Sequence, residues 1–477
     1  MSSKPIGTSL NSIHFLPRDG TVKGLSSDTI ERLTKHRLSK LRIPTQTKRR
    51  LETLKSMKPS YSLRKISNFR RKTATRKIGT FMKTHRSKIR LRFLNTICSD
   101  SNQCIAFGKE TNVIREFFND YDFNLLSGPP VLSGSSTNGT IHLLTFKKDD
   151  YVANAIFKTS NKKNADNLAY EAIVGRFINK QKLRFPCFLE TYGLYYNVYN
   201  RKRISQYRKM DINRQSLIKS CEEPLSVGIM IENIKEGHTL HSTIKNYITN
   251  YPKEYVEFMN FELLYILYQI YAPLSILSEV FTHYDLHANN IMLYTLEAYK
   301  YIEYNYHYDD RTVTFNSIYI VKIIDYGRCF FKDTEYNPED IYKDLCRSKY
   351  RTNHCRECGK DSGFTWLNPI PYNYVSSQKR NISHDLRLLH ILQSYTPSYN
   401  MDILKLIFSV RYIQNYGTPE ITGKNDEWIC NVNDASQRIE KLIKKDFFKK
   451  NNDYDVSGKL GVMNIYSDGR PMEYIVV

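Results

Sequence analysis

Residues 281–294 read Phe-Thr-His-Tyr-Asp-Leu-His-Ala-Asn-Asn-Ile-Met-Leu-Tyr, and this stretch decides the fold that the rest of the chain must adopt. Within it, Asp285 is followed five positions later by Asn290, and an apolar run starts at residue 291. A second apolar run, residues 320–324, ends in Asp325-Tyr326-Gly327. Two short strands that each carry an acid or an amide to one place suit a reaction that needs a general base and a bound divalent metal ion.

Transfer of a phosphoryl group from ATP is a reaction of this kind, because one carboxylate accepts the hydroxyl proton while other oxygen ligands hold Mg²⁺ against the phosphates. At these residues the sequence resembles the protein kinase superfamily. Residues 283–290 look like its catalytic loop, and residues 325–327 look like its metal-binding triplet. The resemblance implies that Asp285 is the catalytic base and that Asn290 and Asp325 hold Mg²⁺.

A stretch of small residues flanked by apolar ones lies upstream, at residues 132–144. Small residues let the backbone N–H groups of a hairpin approach phosphate oxygens, which bulkier side chains would obstruct. By resemblance to the kinase glycine-rich loop, Gly134, Ser136 and Gly139 stand at its three glycine positions and Ile141 at its valine. These residues are expected to bind ATP, with serine in place of the middle glycine.

A lysine and a glutamate follow this loop. Residues 151–158 alternate like a strand and end in Lys158, and apolar positions repeat with helical period around Glu171. The resemblance implies that Lys158 contacts the ATP phosphates and that Glu171 orients Lys158. The alternatives are a solvated strand-end lysine and a plain exposed glutamate on a helix.

Residues 225–233 form an apolar run that predicts a buried strand, and a polar linker follows it. This pattern resembles the hinge of the kinase fold. By that resemblance, Glu232 and Ile234 would offer backbone groups to the adenine of ATP, and the boundary between two lobes would fall near residue 235.

Several positions depart from a typical kinase. Tyr284 replaces the catalytic-loop arginine that commonly pairs with activation-loop phosphate, so we hypothesise that activation-loop phosphorylation does not switch this enzyme on. His287 replaces a lysine, and Asp-Leu-His-x-x-Asn occurs in haspin-like kinases and in small-molecule kinases of the aminoglycoside and choline type.

By the same resemblance, Asp385 would support the catalytic loop by accepting hydrogen bonds from the backbone of that loop. The whole arrangement, with Cys-Gly-x-x-x-Gly-Phe between the metal-binding triplet and Asp385, resembles divergent serine/threonine kinases of large DNA viruses.

The positive charge of the chain is concentrated at its N-terminal end. The formal net charge is +23, and residues 1–95 hold 25 Lys and Arg against 4 Asp and Glu, a net of +21. The remaining residues hold 46 basic and 44 acidic side chains, a net of +2. Residues 1–95 therefore predict a disordered basic arm that binds nucleic acid, anionic membrane or an acidic partner, acts as a nuclear address, or is only solvated.

No secretory signal is visible in residues 1–20. The longest apolar stretch, residues 261–281, is interrupted by Glu262, Gln269 and Glu279, so it predicts a buried helix and not a membrane span. Nine irregularly spaced cysteines without a secretion signal favour reduced thiols and a cytoplasmic protein. If the viral resemblance holds, the place would be the host cytoplasm or the virion, and the basic arm would also suit the nucleus.

A small group of cysteine and histidine residues leaves two possibilities open. These residues are Cys346, His354, Cys355 and Cys358. They could complete a tetrahedral zinc site, but they form only one knuckle, and reduced, locally packed thiols are the alternative.

The sequence thus predicts an α+β, two-lobed protein-kinase-like fold. The basic arm covers residues 1–95, a β-rich N-lobe covers 96–234 and a helical C-lobe covers 235–477. The expected activity is Mg²⁺- and ATP-dependent phosphorylation of serine or threonine in a protein substrate. The alternatives are a small-molecule kinase, or a pseudokinase binding module whose arm binds nucleic acid.

Overall fold

A computed structural model describes most of the chain beyond the basic arm. It covers residues 98–99, 103–104 and 107, and then three longer parts of the chain. These are 111–335 (without 137–138, 150, 161–166, 199–203, 223–225, 235–236 and 297–298), 380–410 (without 396–399) and 428–476 (without 451 and 453). The basic arm and the four candidate zinc ligands lie outside the described residues. Helices and sheets are mixed along the chain, so the structure is α+β, as the sequence predicted.

The first part of the described chain is built around an antiparallel sheet of six strands. A two-stranded hairpin, β1 (Cys98–Ser99) with β2 (Gln103–Cys104), and helix α1 (Thr111–Phe117) precede this sheet. Its strands are β3 (Val131–Ser136), β4 (Gly139–Lys148), β5 (Tyr151–Ser160), β6 (Thr191–Asn197), β7 (Arg208–Met210) and β8 (Ser226–Glu232). Their order across the sheet is β3-β4-β5-β8-β6-β7. The central position of β5 and β8 explains why both strands are largely buried.

Helix α2 (Asn167–Lys182) connects β5 to β6 and is buried along most of its length. The basic residues of segment 200–220 predict a surface excursion, and helix α3 (Arg214–Glu222) begins within this segment. That interpretation is wrong in part, because Ile204, Tyr207 and Leu217 are at most 4% exposed. These three apolar side chains are buried, although basic residues stand between them in the sequence.

The second part of the chain contains most of the helices. They are α4 (Leu240–Asn250), α5 (Pro252–Glu257), a π-helical turn (Phe258–Glu262), α6 (Leu263–Ile276), α7 (Arg387–Leu392), α8 (Met401–Phe408), α9 (Val432–Ile443) and α10 (Asp446–Lys450). Helix α6 corresponds to the apolar stretch 261–281 and is the buried helix that the sequence predicted. None of the helices in the described parts of the chain combines the length and the apolar character that crossing a membrane requires.

Two small sheets hold the segments that matter for the site. The antiparallel three-stranded sheet consists of β14 (Tyr319–Ile323), β11 (Ile291–Thr295) and β9 (His238–Thr239), in that order. The two-stranded sheet pairs β10 (Phe281–Thr282) with β15 (Phe330–Phe331). In both sheets a segment of the 281–294 stretch pairs with a segment flanking residues 325–327. The two motifs are therefore neighbours because their strands are paired.

A further sheet shows that the expectation of a helical C-lobe over 235–477 is wrong in part. It has four strands, ordered β13 (Thr312–Ser317), β12 (Tyr301–His307), β16 (Lys459–Tyr466) and β17 (Glu473–Val476). Strands β12 and β16 run parallel, and Tyr304 pairs with Met463. Rings of this sheet, such as Phe315, stack on Tyr265 of α6. The pairing joins residues about 160 positions apart, and a local sequence pattern does not reveal such contacts.

The described cysteines differ in their chemical state. Cys187 and Cys329 are buried free thiols, as expected, and Cys430 is buried as well. Cys221 on α3 takes part in a disulfide, so the expectation of reduced thiols is wrong at this position. Disulfide pairing depends on which β-carbons the fold brings within reach. The irregular spacing of the cysteines therefore carried no signal for it.

Candidate active site

Three charged side chains that are far apart in sequence meet next to the six-stranded sheet. Lys158 Nζ lies 2.8 Å from Glu171 Oε1 and 3.8 Å from Asp325 Oδ1. Burial alone would lower the pKa of Lys158, but the Glu171 and Asp325 carboxylates outweigh this effect and raise the pKa. The lysine is therefore a fixed positive charge. The predicted contact between Lys158 and Glu171 is present, and Asp325 is the third member of the group.

The small-residue hairpin lies directly beside this lysine. Strand β4 pairs with β5 so that Ile141 stands opposite Lys158 and Gly139 opposite Ser160. On the other side, Ser136 pairs with Gly139 and Gly134 pairs with Ile141. Residues directly opposite each other share one face of an antiparallel sheet. The register thus places Gly139 and Ile141 on the strand beside Lys158, with Gly134 and Ser136 opposite them on the next strand.

One glycine of this hairpin is required by packing. An added Cβ at Gly139 would lie 1.8 Å from the carbonyl oxygen of Thr159, whereas one at Gly134 would meet no heavy atom within 4 Å. We expect Gly139→Ala to force β4 away from β5 and to lower the free energy of unfolding by about 1–3 kcal/mol. Affinity for Mg²⁺-ATP should fall as well, since the displaced segment is the predicted phosphate loop. Equilibrium urea denaturation and ATP titration measure the two effects.

Gly128→Ala is the matched control, because a Cβ at that position also meets no heavy atom within 4 Å. Its effect on stability should stay within about 0.5 kcal/mol. Equal effects of the two substitutions would contradict the close approach of β4 and β5 at Gly139.

Pairing of β11 with β14 brings Asn290 next to the segment that carries Asp325. Ile291 stands opposite Ile323, and the backbone N–H of Ile324 donates to the carbonyl oxygen of Asn290 at 3.0 Å. The amide nitrogen of Asn290 donates to the carbonyl oxygen of Asp285 at 2.9 Å. This bond uses the donor end of the side chain. Its oxygen is thus the end that could bind a cation.

A buried histidine fastens the two segments to each other. His283 Nε2 lies 3.0 Å from the carbonyl oxygen of Ile324, and His283 Nδ1 lies 3.2 Å from the backbone N–H of Asp285. The Nδ1 atom therefore accepts and the Nε2–H donates, which is the neutral form of the ring. Burial also lowers the pKa of His283, in agreement with this assignment. The ring fixes the distance between the Asp285 loop and the Asp325 turn.

Asp285 is nearly buried and is surrounded by positive charge. Arg387 Nη1 donates to its Oδ1 at 2.6 Å, and Arg328 Nη1 lies 3.7 Å from its Oδ2. Burial would raise the pKa of Asp285, but these two guanidinium groups outweigh it and hold the pKa below its usual range. Asp285 is therefore a carboxylate at neutral pH, as a hydrogen-bond acceptor for a hydroxyl must be. Neither arginine was identified from the sequence.

Tyr284 and His287, the residues that replace the usual basic ones, have other roles here. Tyr284 is 1% exposed, and its ring lies 4.9 Å from that of His384. Burial lowers the pKa of His287 to about 4, so this ring is neutral at pH 7. Its Nδ1 accepts the backbone N–H of Asn289 at 3.2 Å, which leaves the proton on Nε2, 3.6 Å from Asp285 Oδ1. A neutral His287 can donate a hydrogen bond but brings no charge to the site.

The expected support of the loop by Asp385 is confirmed. Its Oδ2 accepts the backbone N–H of His283 at 2.8 Å, and its Oδ1 accepts that of Tyr284 at 2.9 Å. Tyr284 has a left-handed backbone with φ of 62°, and Asp325 has φ of 70°. Non-glycine residues adopt this region at a cost of about 1–3 kcal/mol and cluster at functional sites. The Asp385 carboxylate stabilises the strained turn at Tyr284.

Glu232 and Ile234 are engaged by contacts that the hinge comparison did not suggest. The backbone N–H of Glu232 donates to the carbonyl oxygen of Glu190, and the carbonyl oxygen of Ile234 accepts the backbone N–H of Gly237. That backbone groups of Glu232 and Ile234 bind the adenine of ATP stays a prediction. The Glu232 side chain is buried and belongs to a cluster of charged residues.

This buried charge cluster consists of Arg115, Lys182, Glu190, Glu232 and Lys322. The Glu232 carboxylate lies 3.0 Å from Lys182 Nζ and 3.3 Å from Lys322 Nζ. Lys182 Nζ also donates a hydrogen bond to the Glu190 carboxylate at 2.8 Å. Lys322 lies on β14, three residues before Asp325, and is fully buried. The cluster therefore ties strand β8 and the end of α2 to strand β14, which ends two residues before the candidate metal ligand Asp325.

Further contacts hold α2 against the segment after Asp325. Tyr170 donates its hydroxyl to the carbonyl oxygen of Cys329 at 2.7 Å, and Lys180 Nζ lies 2.8 Å from Asp333. These contacts hold α2 in the orientation in which Glu171 faces Lys158. The ion pair of Lys158 with Glu171 thus has support from both ends of α2.

The donor atoms of this site suit a hard cation. Asn290 and Asp325 offer oxygen, which Mg²⁺ prefers, and the Asp325 side chain is 48% exposed. Mg²⁺ is usually held by one or two carboxylates together with substrate phosphates and water. Within the described ranges, no group of three or more His, Cys, Asp and Glu side chains could hold a metal ion by itself. The oxygen donors of Asn290 and Asp325 fit Mg²⁺.

Comparison with known proteins leaves the family of this chain open. No family model matches it, and no curated protein matches it. The crystal structure of a kinase domain is similar at 16% sequence identity with a TM-score of 0.26, over 45% of this chain and 55% of that one. The match thus spans about half the length of that structure. A TM-score of this size does not establish a common fold.

Proposed function

We propose that the protein is a Mg²⁺-dependent phosphotransferase that transfers the γ-phosphoryl group of ATP to serine or threonine of a protein. The observation that carries this proposal is the position of Lys158 Nζ, 2.8 Å from Glu171 and 3.8 Å from Asp325. A fixed cation beside a half-exposed carboxylate suits a nucleotide phosphate and its metal ion. In this proposal the six-stranded sheet with α2 is the ATP-binding lobe of a two-lobed, protein-kinase-like fold.

Each part of the nucleotide would meet a different group of residues. Backbone groups of the Gly134–Ser136–Gly139 hairpin and Lys158 would hold the phosphates, with Ile141 beside them. Backbone groups of Glu232 and Ile234 would hold the adenine. Asn290 and Asp325 would hold Mg²⁺, whose chemistry is to neutralise the charge that develops on the phosphate oxygens.

Asp285 would act on the acceptor. Its Oδ1 is occupied by Arg387, so Oδ2 would accept the proton of the acceptor hydroxyl. The hydroxyl oxygen forms a bond to the γ-phosphorus while the bond between that phosphorus and the β–γ bridging oxygen breaks. The bond electrons leave on ADP, and Lys158 stays beside the phosphate oxygens throughout. Positioning and electrostatic stabilisation supply most of the rate enhancement in such a reaction.

The experiment is a transfer assay with the full chain, Mg²⁺ and ATP radiolabelled on its γ-phosphate. Acceptors are a peptide array and a panel of small hydroxyl compounds that includes aminoglycosides and choline. We expect label on serine or threonine with the wild type, and no label with Asp325→Ala or after chelation of Mg²⁺. ATP binding is measured in parallel by titration.

The outcomes separate the candidate functions. Transfer only to small compounds would favour the small-molecule kinase that the Asp-Leu-His pattern at residues 285–287 also suits. Binding of Mg²⁺-ATP without transfer to any acceptor would favour a pseudokinase. Absence of nucleotide binding would overturn the proposed site itself.

A further inference from the structure

The two oxygens of the Asp285 carboxylate are not equivalent. Arg387 Nη1 donates to Oδ1 at 2.6 Å, and the Arg387 side chain is only 2% exposed. Arg328 Nη1 is 3.7 Å from Oδ2 and belongs to a side chain that is 28% exposed. The first contact is a buried, charge-assisted hydrogen bond, and the second is a longer ion pair near solvent. Oδ1 is thus held by a short hydrogen bond to a buried arginine, while Oδ2 has only the longer ion pair to a partly exposed one.

Arg387 itself is held rigidly. It begins α7 and lies two residues after Asp385, whose carboxylate binds the backbone of the same loop at His283 and Tyr284. The neighbouring Leu386 and Leu388 are fully buried. One turn therefore fixes both the backbone of the loop and the side chain of Asp285. Such support from packed secondary structure is what a catalytic carboxylate needs for orientation.

The residues around Asp285 in its own loop do not provide this support. Tyr284 is packed with Phe330 in the interior, and its hydroxyphenyl group carries no positive charge. His287 Nε2 lies 3.6 Å from Asp285 Oδ1, too far for a hydrogen bond. The hydrogen-bonded cation on Asp285 therefore comes from α7 and not from its own loop.

We propose that Arg387 is a positioning residue that orients Asp285 by binding its Oδ1, so that Oδ2 points to the acceptor hydroxyl without any phosphate on the segment after Asp325. This inference rests on the proposed function. The contact joins two unmodified side chains inside the fold, whereas a contact that depends on phosphorylation requires a phosphate to be added. The enzyme would then be active as synthesised.

The test compares wild type, Arg387→Ala and Arg387→Lys in the transfer assay, with kcat, KM for ATP and affinity for Mg²⁺-ATP measured separately. We expect kcat to fall about 10- to 100-fold in Arg387→Ala, while affinity for Mg²⁺-ATP changes less than about twofold. Lysine keeps the charge but loses the planar fork of the guanidinium, so Arg387→Lys should be intermediate. Added methylguanidinium should restore part of the kcat of Arg387→Ala, but none in Asp285→Asn.

Arg311→Ala is the matched control. Arg311 binds Glu440 on α9 through two nitrogens, at 2.7 and 3.1 Å, outside the site. Its removal should lower the melting temperature and leave kcat unchanged. Phosphatase treatment of the wild type should also leave kcat unchanged. Loss of activity after that treatment would overturn the inference of phosphate-independent orientation.

Failure of the inference and failure of the proposed function are distinguishable. A wild type that transfers phosphate to no acceptor contradicts the proposed function. An active wild type with an unchanged kcat in Arg387→Ala overturns the role of Arg387. If Arg387→Ala does not fold, Arg387→Lys decides: a reduced kcat at unchanged Mg²⁺-ATP affinity supports the role, and an unchanged kcat overturns it.

Discussion

Asp285→Asn is expected to reduce kcat by about 10²- to 10⁴-fold, which is the range that a positioned general base contributes. The substitution keeps the shape of the side chain but removes the charge that accepts the hydroxyl proton. Asn290 and Asp325 are untouched, so affinity for Mg²⁺-ATP should change little. The predicted signature is a large loss of kcat at nearly constant ATP affinity. Rapid-quench transfer and nucleotide titration measure the two quantities.

This substitution also leaves Arg387 without its carboxylate, and the stability of the variant must be measured along with its activity. Removal of one partner of a buried ion pair destabilises a protein by about 3–5 kcal/mol. The activity is therefore compared at a temperature where both proteins are folded. Asp310→Asn is the control, because Asp310 is 75% exposed and pairs with its neighbour Arg311 in a surface turn. Near-normal kcat in Asp285→Asn would show that Asp285 is not the base.

Glu232→Gln is expected to lower the free energy of unfolding by about 3–5 kcal/mol, because it removes an anion from the buried charge cluster. Lys182 Nζ and Lys322 Nζ lie 3.0 and 3.3 Å from the Glu232 carboxylate, and Lys322 is fully buried. Without that carboxylate one ammonium group must lose its proton or remain uncompensated. Equilibrium denaturation in urea measures the loss. Affinity for ATP should fall with it, since the cluster ties β8 to β14.

The pH dependence of this loss has a defined sign. Burial would raise the pKa of Glu232, but Lys182 and Lys322 outweigh it and lower the pKa from 4.5 to about 2. A carboxyl group whose pKa is lowered in the folded state stabilises that state above the unfolded pKa. This contribution disappears as the pH falls from 4.5 toward 2. The difference between wild type and Glu232→Gln should therefore be largest above pH 4.5 and shrink in acid.

Glu303→Gln is the matched control for the cluster. Glu303 pairs with Lys459 at 2.6 Å, but the two side chains are 28% and 19% exposed. A partly exposed ion pair contributes about 0–1 kcal/mol. Equal losses in the two variants would contradict the view that the cluster at Glu232 is structurally decisive.

The parts of the site that sequence could predict are those set by order and spacing along the chain. Lys158 lies on a strand and Glu171 on the helix after it, and short elements joined in sequence leave few ways to arrange their side chains. Asn290 and Asp325 each flank an apolar strand, so pairing of β11 with β14 was enough to bring them together. Local patterns therefore predicted these contacts, while the chemical roles of the residues stay predictions.

The parts that sequence did not predict depend on contacts between distant segments. Arg387 belongs to an apolar helix start, and only its packing reveals that it reaches Asp285. A signal existed, because Tyr284 and His287 leave the loop without a cation for its carboxylate. Lys322 gave a similar signal, as a lysine inside the apolar run 320–324 needs a buried partner. Neither signal identifies the partner residue. Only the fold brings Glu232 to Lys322 and Arg387 to Asp285.

The parallel pairing of β12 with β16 also affects the way the chain is made. A ribosome releases residues 301–307 long before it reaches residues 459–466, so one edge of β12 has no partner during that interval. An unpaired strand edge is a template for association with other chains. Tyr301, Tyr304 and Tyr306 of β12 are buried in the folded protein, so an unpaired β12 would expose their rings. Newly made protein should therefore need chaperone protection late in translation, and truncation before residue 459 should yield aggregates.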